Sequence, residues 1–304
     1  MHIRVLGSAA GGGFPQWNCD SPRCRAARRG RLVSERRSQS SIAVSQDGHH
    51  WLLVNVSPDI RQQILDNTML HPSGAVRSSG IAAIALMDSQ IDHVTGLLMM
   101  RESDEPLSIY CTKRTEEDLR TGFPIFEMLS HYCRASVTHL PLDGHSIEPD
   151  ETPGVRILPI PLTSKAPPYS RHRQDPRPGD NVGFVIDSPD TGKRAFYAPG
   201  LGEIDDRLSA WMASADIIMV DGTTWTDDEM SKVVGGKKTS RQMGHLPLTG
   251  EGGMLDVLAD YPLARRILVH INNTNPVLDP ESAERARLEA MGIEVSYDGM
   301  DIRF

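Results

Sequence analysis

The chain has 304 residues, of which 39% are hydrophobic and 24% are charged. This composition is typical of a soluble globular protein and suffices for one large domain or two small ones, of which we favour a single domain over residues 1–304. The formal net charge of −8 at pH 7 argues against nucleic acids and anionic membranes as general partners.

Residues 1–8 (MHIRVLGS) show a strand pattern and not a signal peptide, and no stretch approaches the roughly 20 apolar residues of a membrane span. We therefore expect a cytoplasmic protein without membrane insertion, and we leave a homodimer open. Four cysteines in such a chain favour free thiols or metal ligands over a disulfide framework.

Strands and helices alternate along the first half of the chain. Short apolar runs predict strands, and apolar residues three or four positions apart predict helices. The predicted strands are 3–6, 41–45, 51–56, 81–87 and 107–111, with a hairpin turn at 46–49. The predicted helices are 58–65, one from about Thr95, and 112–120.

The second half repeats this alternation. Its predicted strands are 155–160, 182–186, 195–197, 217–220, 266–270 and 294–297, and its predicted helices are 254–261 and 280–291. The segment 164–181, rich in Pro, Arg and Lys, is long enough to be a lid or a disordered excursion. Two such halves favour an α/β fold with four αββα layers, and a doubly wound parallel sheet is the alternative.

Three polar stretches carry candidate chemistry. Asp92 and His93 follow the strand 81–87, His270 ends the strand 266–270, and His245 lies in a loop before a helix. Adjacent carboxylate and imidazole groups at a strand end suit a metal site or an acid/base pair. Each stretch alone is more often a turn, a helix cap or a buried hydrogen-bonded histidine, so their combination is what favours a site.

Eight motifs, spread over almost the whole chain, give the sequence a resemblance to a known family. They are LGSAAGGGFPQWNC (6–19), SSIAV (40–44), NVSPDIR (55–61), QIDHVTGLL (90–98), YAPG (197–200), DGT (221–223), MGH (243–245) and HINNTNP (270–276). In order and spacing the sequence resembles the coenzyme PQQ synthesis protein B family of the metallo-β-lactamase superfamily. The resemblance implies the metallo-β-lactamase fold, an αββα sandwich.

The resemblance also implies a reduced metal site. Hydrolases of the superfamily carry His-x-His-x-Asp-His after this strand, and the matching positions here are Asp88, Gln90, Asp92 and His93. Two histidine ligands are therefore missing, and no carboxylate stands near 199–200, where the metal-bridging aspartate is expected. The remaining ligands are Asp92, His93 and His270, which suit one metal ion and disable two-metal hydrolysis.

The family context implies PQQ biosynthesis, in which the tyrosine ring of a Glu-Tyr-derived precursor acquires oxygen. Two imidazoles and one carboxylate leave about three positions open on a metal, an arrangement used for Fe(II) and O2 chemistry, and zinc suits the same ligands. We therefore expect an Fe(II)/O2-dependent hydroxylase. His245 matches a superfamily loop histidine, to which we assign proton transfer or substrate positioning.

The alternative is a binding or transport protein that carries PQQ or its precursor towards the periplasm without catalysis. Its anionic ligand would then contact Arg61 and the loop from Asn272 to Asn275. In the hydroxylase, Asp88 and Gln90 are expected to orient the metal ligands.

Cys19 and Cys24 raise a separate question. Related superfamily members hold a structural zinc with Cys-x-Cys-x-x-Cys in this loop, and here Ser21 replaces the middle thiolate. The resemblance therefore leaves two alternatives, a weakened structural zinc site and a pair of reduced thiols in a turn.

Overall fold

A computed structural model describes residues 1–32 and 36–304 of the chain. Its strands, in chain order, are β1 (His2–Gly7), β2 (Ser41–Ser45), β3 (Trp51–Val54), β4 (Ile81–Ala85), β5 (Leu107–Cys111), β6 (Ala135–His139), β7 (Arg156–Pro161), β8 (Val182–Asp187), β9 (Arg194–Ala198), β10 (Ile217–Asp221), β11 (Arg265–Val269), β12 (Ile293–Val295) and β13 (Asp301–Arg303). Its α-helices are α1 (Pro22–Arg28), α2 (Ile60–Asp66), α3 (Ile91–Val94), α4 (Lys113–Arg120), α5 (Ile125–Ser130), α6 (Asp206–Ala213), α7 (Glu229–Val234), α8 (Ser240–Met243), α9 (Met254–Ala259) and α10 (Ala283–Ala290). None of these helices is long and apolar enough to cross a membrane.

The chain forms two compact units, each assembled from separate stretches of sequence. The first unit contains Met1–Leu6, Ser41–Arg194 and Gly299–Phe304, and the second contains Gly7–Ser40 and Ala195–Asp298. The single domain expected from the chain length stays a prediction.

The first unit contains a seven-stranded mixed sheet in the order β13-β1-β2-β3-β4-β5-β6. The strands β3 to β6 run parallel, whereas β2 pairs with β3 as an antiparallel hairpin. Asp47 closes this hairpin because its side chain accepts the backbone N–H groups of His49 and His50, both at 2.8 Å. The core of the unit contains the fully buried side chains of Leu53, Ile84 and Ile109.

The helix predicted near Thr95 begins earlier than expected. An α-helical turn covers Ile91–Val94, and a 3-10 helix continues over Thr95–Met100. Gly96 permits this close packing, because a Cβ atom there would stand 2.1 Å from the carbonyl oxygen of Ser57. Because α3 begins at Ile91, Asp92 and His93 lie inside the first helical turn and not in the loop before it.

In the second unit the strands β12, β11, β10 and β9 pair in that order and run parallel, and they belong to a sheet of six strands. Every residue of β10 is buried, as is usual for parallel strands that are covered on both faces. Since β10 and β11 pair in parallel, with Asp221 opposite Val269, their carboxyl ends lie at one edge of the sheet. Polar residues that follow these two strands are therefore neighbours.

The sequence predictions missed several short elements. The strand predicted at the end of the chain is followed by β13, which pairs antiparallel with β1. The edge strand β6 and the helices α5 to α8 were also missed. The helix α10 begins at Ala283 and not at 280, because Ser282 caps it by accepting the Arg285 N–H at 3.1 Å. The segment 162–181 has no helix or strand, yet Ala166, Ser170 and His172 within it are buried.

Candidate metal centre

Asp88 fixes the orientation of His93 beyond the carboxyl end of β4. Its Oδ1 accepts a hydrogen bond from the backbone N–H of Gln90 at 2.8 Å, which closes the turn into α3. Both carboxylate oxygens lie within hydrogen-bond distance of His93 Nδ1, at 2.8 and 2.9 Å. The backbone carbonyl of His93 accepts the Val56 N–H at 2.7 Å, so the ring and the main chain of His93 are both held.

Two carboxylates determine the protonation of His93. Burial lowers the pKa of this imidazole, but the charges of Asp88 and Asp92 outweigh burial and raise it to about 9. Since the Nδ1–H of His93 donates a hydrogen bond to Asp88, Nε2 carries the lone pair whenever the ring is neutral. His93 Nε2 lies 3.8 Å from Asp92 Oδ2, so one imidazole nitrogen and one carboxylate oxygen are placed side by side.

The second unit contains another cluster of possible ligands, Asp221, His245 and His270. One ligand atom from each lies within 4.8 Å of the others. Asp221 ends β10 and His270 follows β11, so the parallel pairing of these strands accounts for their proximity. His245 comes from the loop after α8, where Gly244 ends the helix in the left-handed conformation with a φ of 97°.

The hydroxyl of Thr223 fixes the tautomer of His270. Thr223 Oγ1 lies 2.6 Å from Asp221 Oδ1 and 2.9 Å from His270 Nδ1. A carboxylate can only accept, so the single hydroxyl proton goes to Asp221, and the Nδ1–H of His270 donates to Thr223 Oγ1. The lone pair of a neutral His270 is therefore on Nε2, as it is in His93.

Asp221 orients His245 in the same way. Its Oδ2 lies 2.6 Å from His245 Nδ1 and also accepts the Leu201 N–H at 3.0 Å. Burial raises the pKa of the Asp221 carboxyl, but the charges of His245 and His270, together with hydrogen bonds, bring it below its ordinary value. Asp221 is therefore charged at neutral pH and accepts the Nδ1–H of His245. The rings of His245 and His270 stack with their centroids 5.3 Å apart.

Sequence reasoning missed Asp221, although its motif DGT was among those that carried the resemblance. The metal-bridging carboxylate is expected close to Pro199 and Gly200, and the sequence has none at these positions. The structure supplies one from the neighbouring strand, because Val220 pairs with Ala198 and places Asp221 beside the residues that follow β9. The signal in the sequence was the position of Asp221 at the end of an apolar run.

Cys19 and Cys24 lie at the start of α1 with Ser21 between them. The Cys19 thiol donates to Ser21 Oγ at 3.2 Å, and Cys24 Sγ accepts from Asn273 Nδ2 at 3.5 Å. Within residues 1–32 and 36–304, the clusters of three or more His, Cys, Asp or Glu ligands include neither thiol. A structural zinc at this pair stays a prediction.

The other predicted residues fall in both units. In the first, Gln90 Nε2 donates to the Lys165 carbonyl at 3.1 Å, and Arg61 is exposed on α2. In the second, Asn272 donates to Thr274 Oγ1 at 2.7 Å, and Asn275 donates to the Gly222 carbonyl at 2.8 Å. These asparagine contacts hold the loop that follows His270, and their predicted role in ligand binding stays a prediction.

Comparison with known proteins decides the family. Residues 50–271 match the family described as "Beta-lactamase superfamily domain". A "Coenzyme PQQ synthesis protein B" of Methylobacillus flagellatus is 55% identical over 303 residues, with 99% of each chain covered. One from Pseudomonas aeruginosa is 54% identical over 305 residues, with 100% of each chain covered. The chain belongs to the coenzyme PQQ synthesis protein B family.

Solved structures agree with this assignment. The crystal structure of Zn(2+)-bound PqqB from Methylobacterium extorquens has a TM-score of 0.90 and 39% sequence identity, with full coverage of both chains. A diphosphatase from the PhnP family, at 20% identity and a TM-score of 0.69, shares the fold alone. The metallo-β-lactamase fold and the link to PQQ biosynthesis predicted from the sequence are confirmed. The assignment of Asp92, His93 and His270 to one ligand set stays a prediction.

Proposed function

We propose that this member of the coenzyme PQQ synthesis protein B family uses Fe(II) and O2 to hydroxylate the tyrosine ring of a Glu-Tyr-derived precursor of PQQ. The observation that carries the proposal is the common arrangement of His93 and His270. Each ring donates its Nδ1–H to a neighbouring oxygen, that of Asp88 or of Thr223, so Nε2 is the nitrogen that can bind a metal ion once the ring is neutral. Such hydrogen bonds are typical of metal-ligating histidines.

The metal ligands in this proposal are Asp92, His93 and His270. Imidazole nitrogens with a carboxylate oxygen form a donor set that suits Fe(II) as well as zinc, and a relative at 39% identity has been crystallised with zinc. Three protein ligands leave about three positions on a six-coordinate ion for substrate and O2. When bound, the iron would supply the activation of O2.

Asp221 and His245 are the groups that we propose for proton transfer. Because Asp221 holds Nδ1 of His245 at 2.6 Å, the Nε2 atom of His245 is the one that exchanges protons. The phenolic hydroxyl of the substrate is the proton donor that the proposed reaction offers. Buried Asp221 stabilises the imidazolium that forms when His245 accepts this proton.

The overall reaction balances without a second substrate if it proceeds to a quinone. Conversion of a phenol to an ortho-quinone by one O2 releases one water, and the ring supplies all four electrons that O2 accepts. Arrest at the catechol would require a further two-electron donor, such as ascorbate. The two products can therefore be distinguished by their need for a reductant.

Anaerobic purification, metal analysis and an O2-consumption assay with Glu-Tyr test the proposal. We expect about one iron per chain and O2 uptake that requires both iron and Glu-Tyr, with mass spectrometry locating the added oxygen on the ring. The zinc-loaded protein is the matched control, because zinc binds the same ligands but has no redox chemistry. Tight binding of PQQ with no oxygen uptake would instead favour the carrier.

A further inference from the structure

The segment 164–181 lies directly beside the turn that carries Asp88 and His93. Gln90 Nε2 in this turn donates to the Lys165 carbonyl at 3.1 Å, and the hydroxyl of Tyr169 donates to the carbonyl of Ser89. The turn and the segment both belong to the first unit. A molecule bound at the turn is therefore within reach of long side chains from the segment.

The segment 164–181 carries an excess of positive charge in a chain whose net charge is −8. Its two aspartates are outnumbered by four cationic residues, Lys165, Arg171, Arg173 and Arg177. Arg171 forms an ion pair with Glu117, and Arg177 forms one with Asp175 at 2.7 Å. The charges of these two arginines are thus neutralised within the protein.

Arg173 is held differently. Its guanidinium donates to the backbone carbonyl of Ala166, a neutral acceptor, and no carboxylate of residues 1–32 or 36–304 lies within 4.0 Å of it. Ala166 directly follows Lys165, whose carbonyl accepts a hydrogen bond from Gln90. The carbonyl that binds Arg173 and the carbonyl that binds Gln90 therefore belong to consecutive residues, about 3.8 Å apart along the chain. Arg173 itself is half-buried.

We infer that Arg173 binds a carboxylate group of the substrate. The inference rests on the proposed function for the identity of that substrate, a Glu-Tyr-derived molecule, and adds the group that recognises it. Guanidinium has a planar fork of donors that matches a carboxylate in two parallel hydrogen bonds. Its partial burial strengthens such a pair, because neighbouring protein atoms replace part of the screening water.

Equilibrium binding to the zinc-loaded protein tests this inference without any turnover. The probes are the dipeptide Glu-Tyr and the dipeptide Gln-Tyr with an amidated C-terminus. The second probe has the same shape but no carboxylate, because both carboxylates of Glu-Tyr are replaced by amides. We expect the wild-type protein to prefer Glu-Tyr. Arg173→Gln should weaken Glu-Tyr binding by about tenfold to a hundredfold, the scale of hydrogen bonds to charged groups, and remove the preference between the two probes.

Two variants serve as controls, and zinc content is measured in each. Arg173→Lys should retain part of the preference, because it keeps the charge but loses the fork. Arg177→Gln should change the affinity by less than about twofold, since Arg177 already pairs with Asp175 on the surface.

The inference is overturned by unchanged Glu-Tyr binding in Arg173→Gln, by an equal loss in Arg177→Gln, or by a wild-type protein that binds neither probe or fails to distinguish them. An iron-loaded protein that binds Glu-Tyr through Arg173 but consumes no O2 would refute the proposed hydroxylation and leave the inference standing.

Discussion

Replacing Asp221 with asparagine should destabilise the protein strongly, because every oxygen lone pair on this fully buried carboxylate is engaged. Oδ1 accepts the Thr223 N–H at 2.9 Å and the Thr223 hydroxyl at 2.6 Å. Oδ2 accepts the Leu201 N–H at 3.0 Å and His245 Nδ1 at 2.6 Å. Asparagine replaces one of these oxygens by an NH2 group, which donates hydrogen bonds and does not accept them. The two groups that donate to that oxygen in the wild type would then lose their acceptor.

The expected loss of stability follows from the number of donors that lose their acceptor. A buried donor left without an acceptor costs about 1–3 kcal/mol, so Asp221→Asn should lower the free energy of unfolding by about 2–6 kcal/mol. The lower end applies if the amide nitrogen faces Thr223, whose hydroxyl can rotate and accept. Because the folded pKa of Asp221 is lowered, its contribution is present above the unfolded value of about 3.9 and is lost as pH falls through the folded pKa. The difference between wild type and variant should therefore shrink in acid.

Urea unfolding of metal-free protein at neutral pH and near pH 3 measures this difference, with chelator present because bound metal would add stability of its own. Glu203→Gln is the control, since Glu203 is an exposed carboxylate in the same unit and its replacement should change stability by less than about 0.5 kcal/mol. An Asp221→Asn protein as stable as the control at neutral pH would refute the hydrogen-bond count. A difference that persists unchanged in acid would refute the role of the charge.

Three further predictions concern the metal and the proton. His270→Ala should abolish stoichiometric iron binding and hydroxylation while the circular dichroism spectrum is preserved; full activity would remove His270 from the ligand set. His245→Ala should keep iron but slow turnover by about a hundredfold or more, and wild-type turnover with bound iron would exclude it from proton transfer. Since the pKa of His93 is about 9 and a metal must displace its proton, zinc affinity from chelator competition should rise about tenfold per pH unit between pH 7 and 9 and then level off. A flat profile over that range would show that His93 is already neutral.

The parts of the site that were predictable from the sequence are those where neighbours in space are neighbours in the chain. The buried apolar run before Asp88 predicted β4, and the adjacent Asp92 and His93 at its end predicted a metal site or an acid/base pair. His270 was predictable for the same reason, because it follows the apolar strand β11 directly. These inferences needed only local pattern.

The contacts that escaped prediction depend on strand pairing. Asp221 approaches Leu201 only because β10 lies parallel to β9, and no local pattern specifies which strands pair. Likewise β13 has three residues and no usable periodicity, and its pairing with β1 defines it. The early start of α3 depends on the Asp88 side chain, which accepts a backbone N–H that the apolar pattern could not reveal.

The interleaving of the two units along the chain sets the order in which a ribosome can complete them. In the second unit, Ser8 bonds through its N–H and its hydroxyl to Asp298 Oδ1, at 2.8 and 2.7 Å, across 290 positions of sequence. At a synthesis rate of about 5–20 residues per second, roughly 15–60 s pass between the synthesis of Ser8 and that of Asp298. The first unit waits as long for β13 to reach β1. Neither the pairing of β1 with β13 nor the bond between Ser8 and Asp298 can therefore form until translation is nearly finished, whereas the hairpin of β2 and β3 needs no residue beyond Val54.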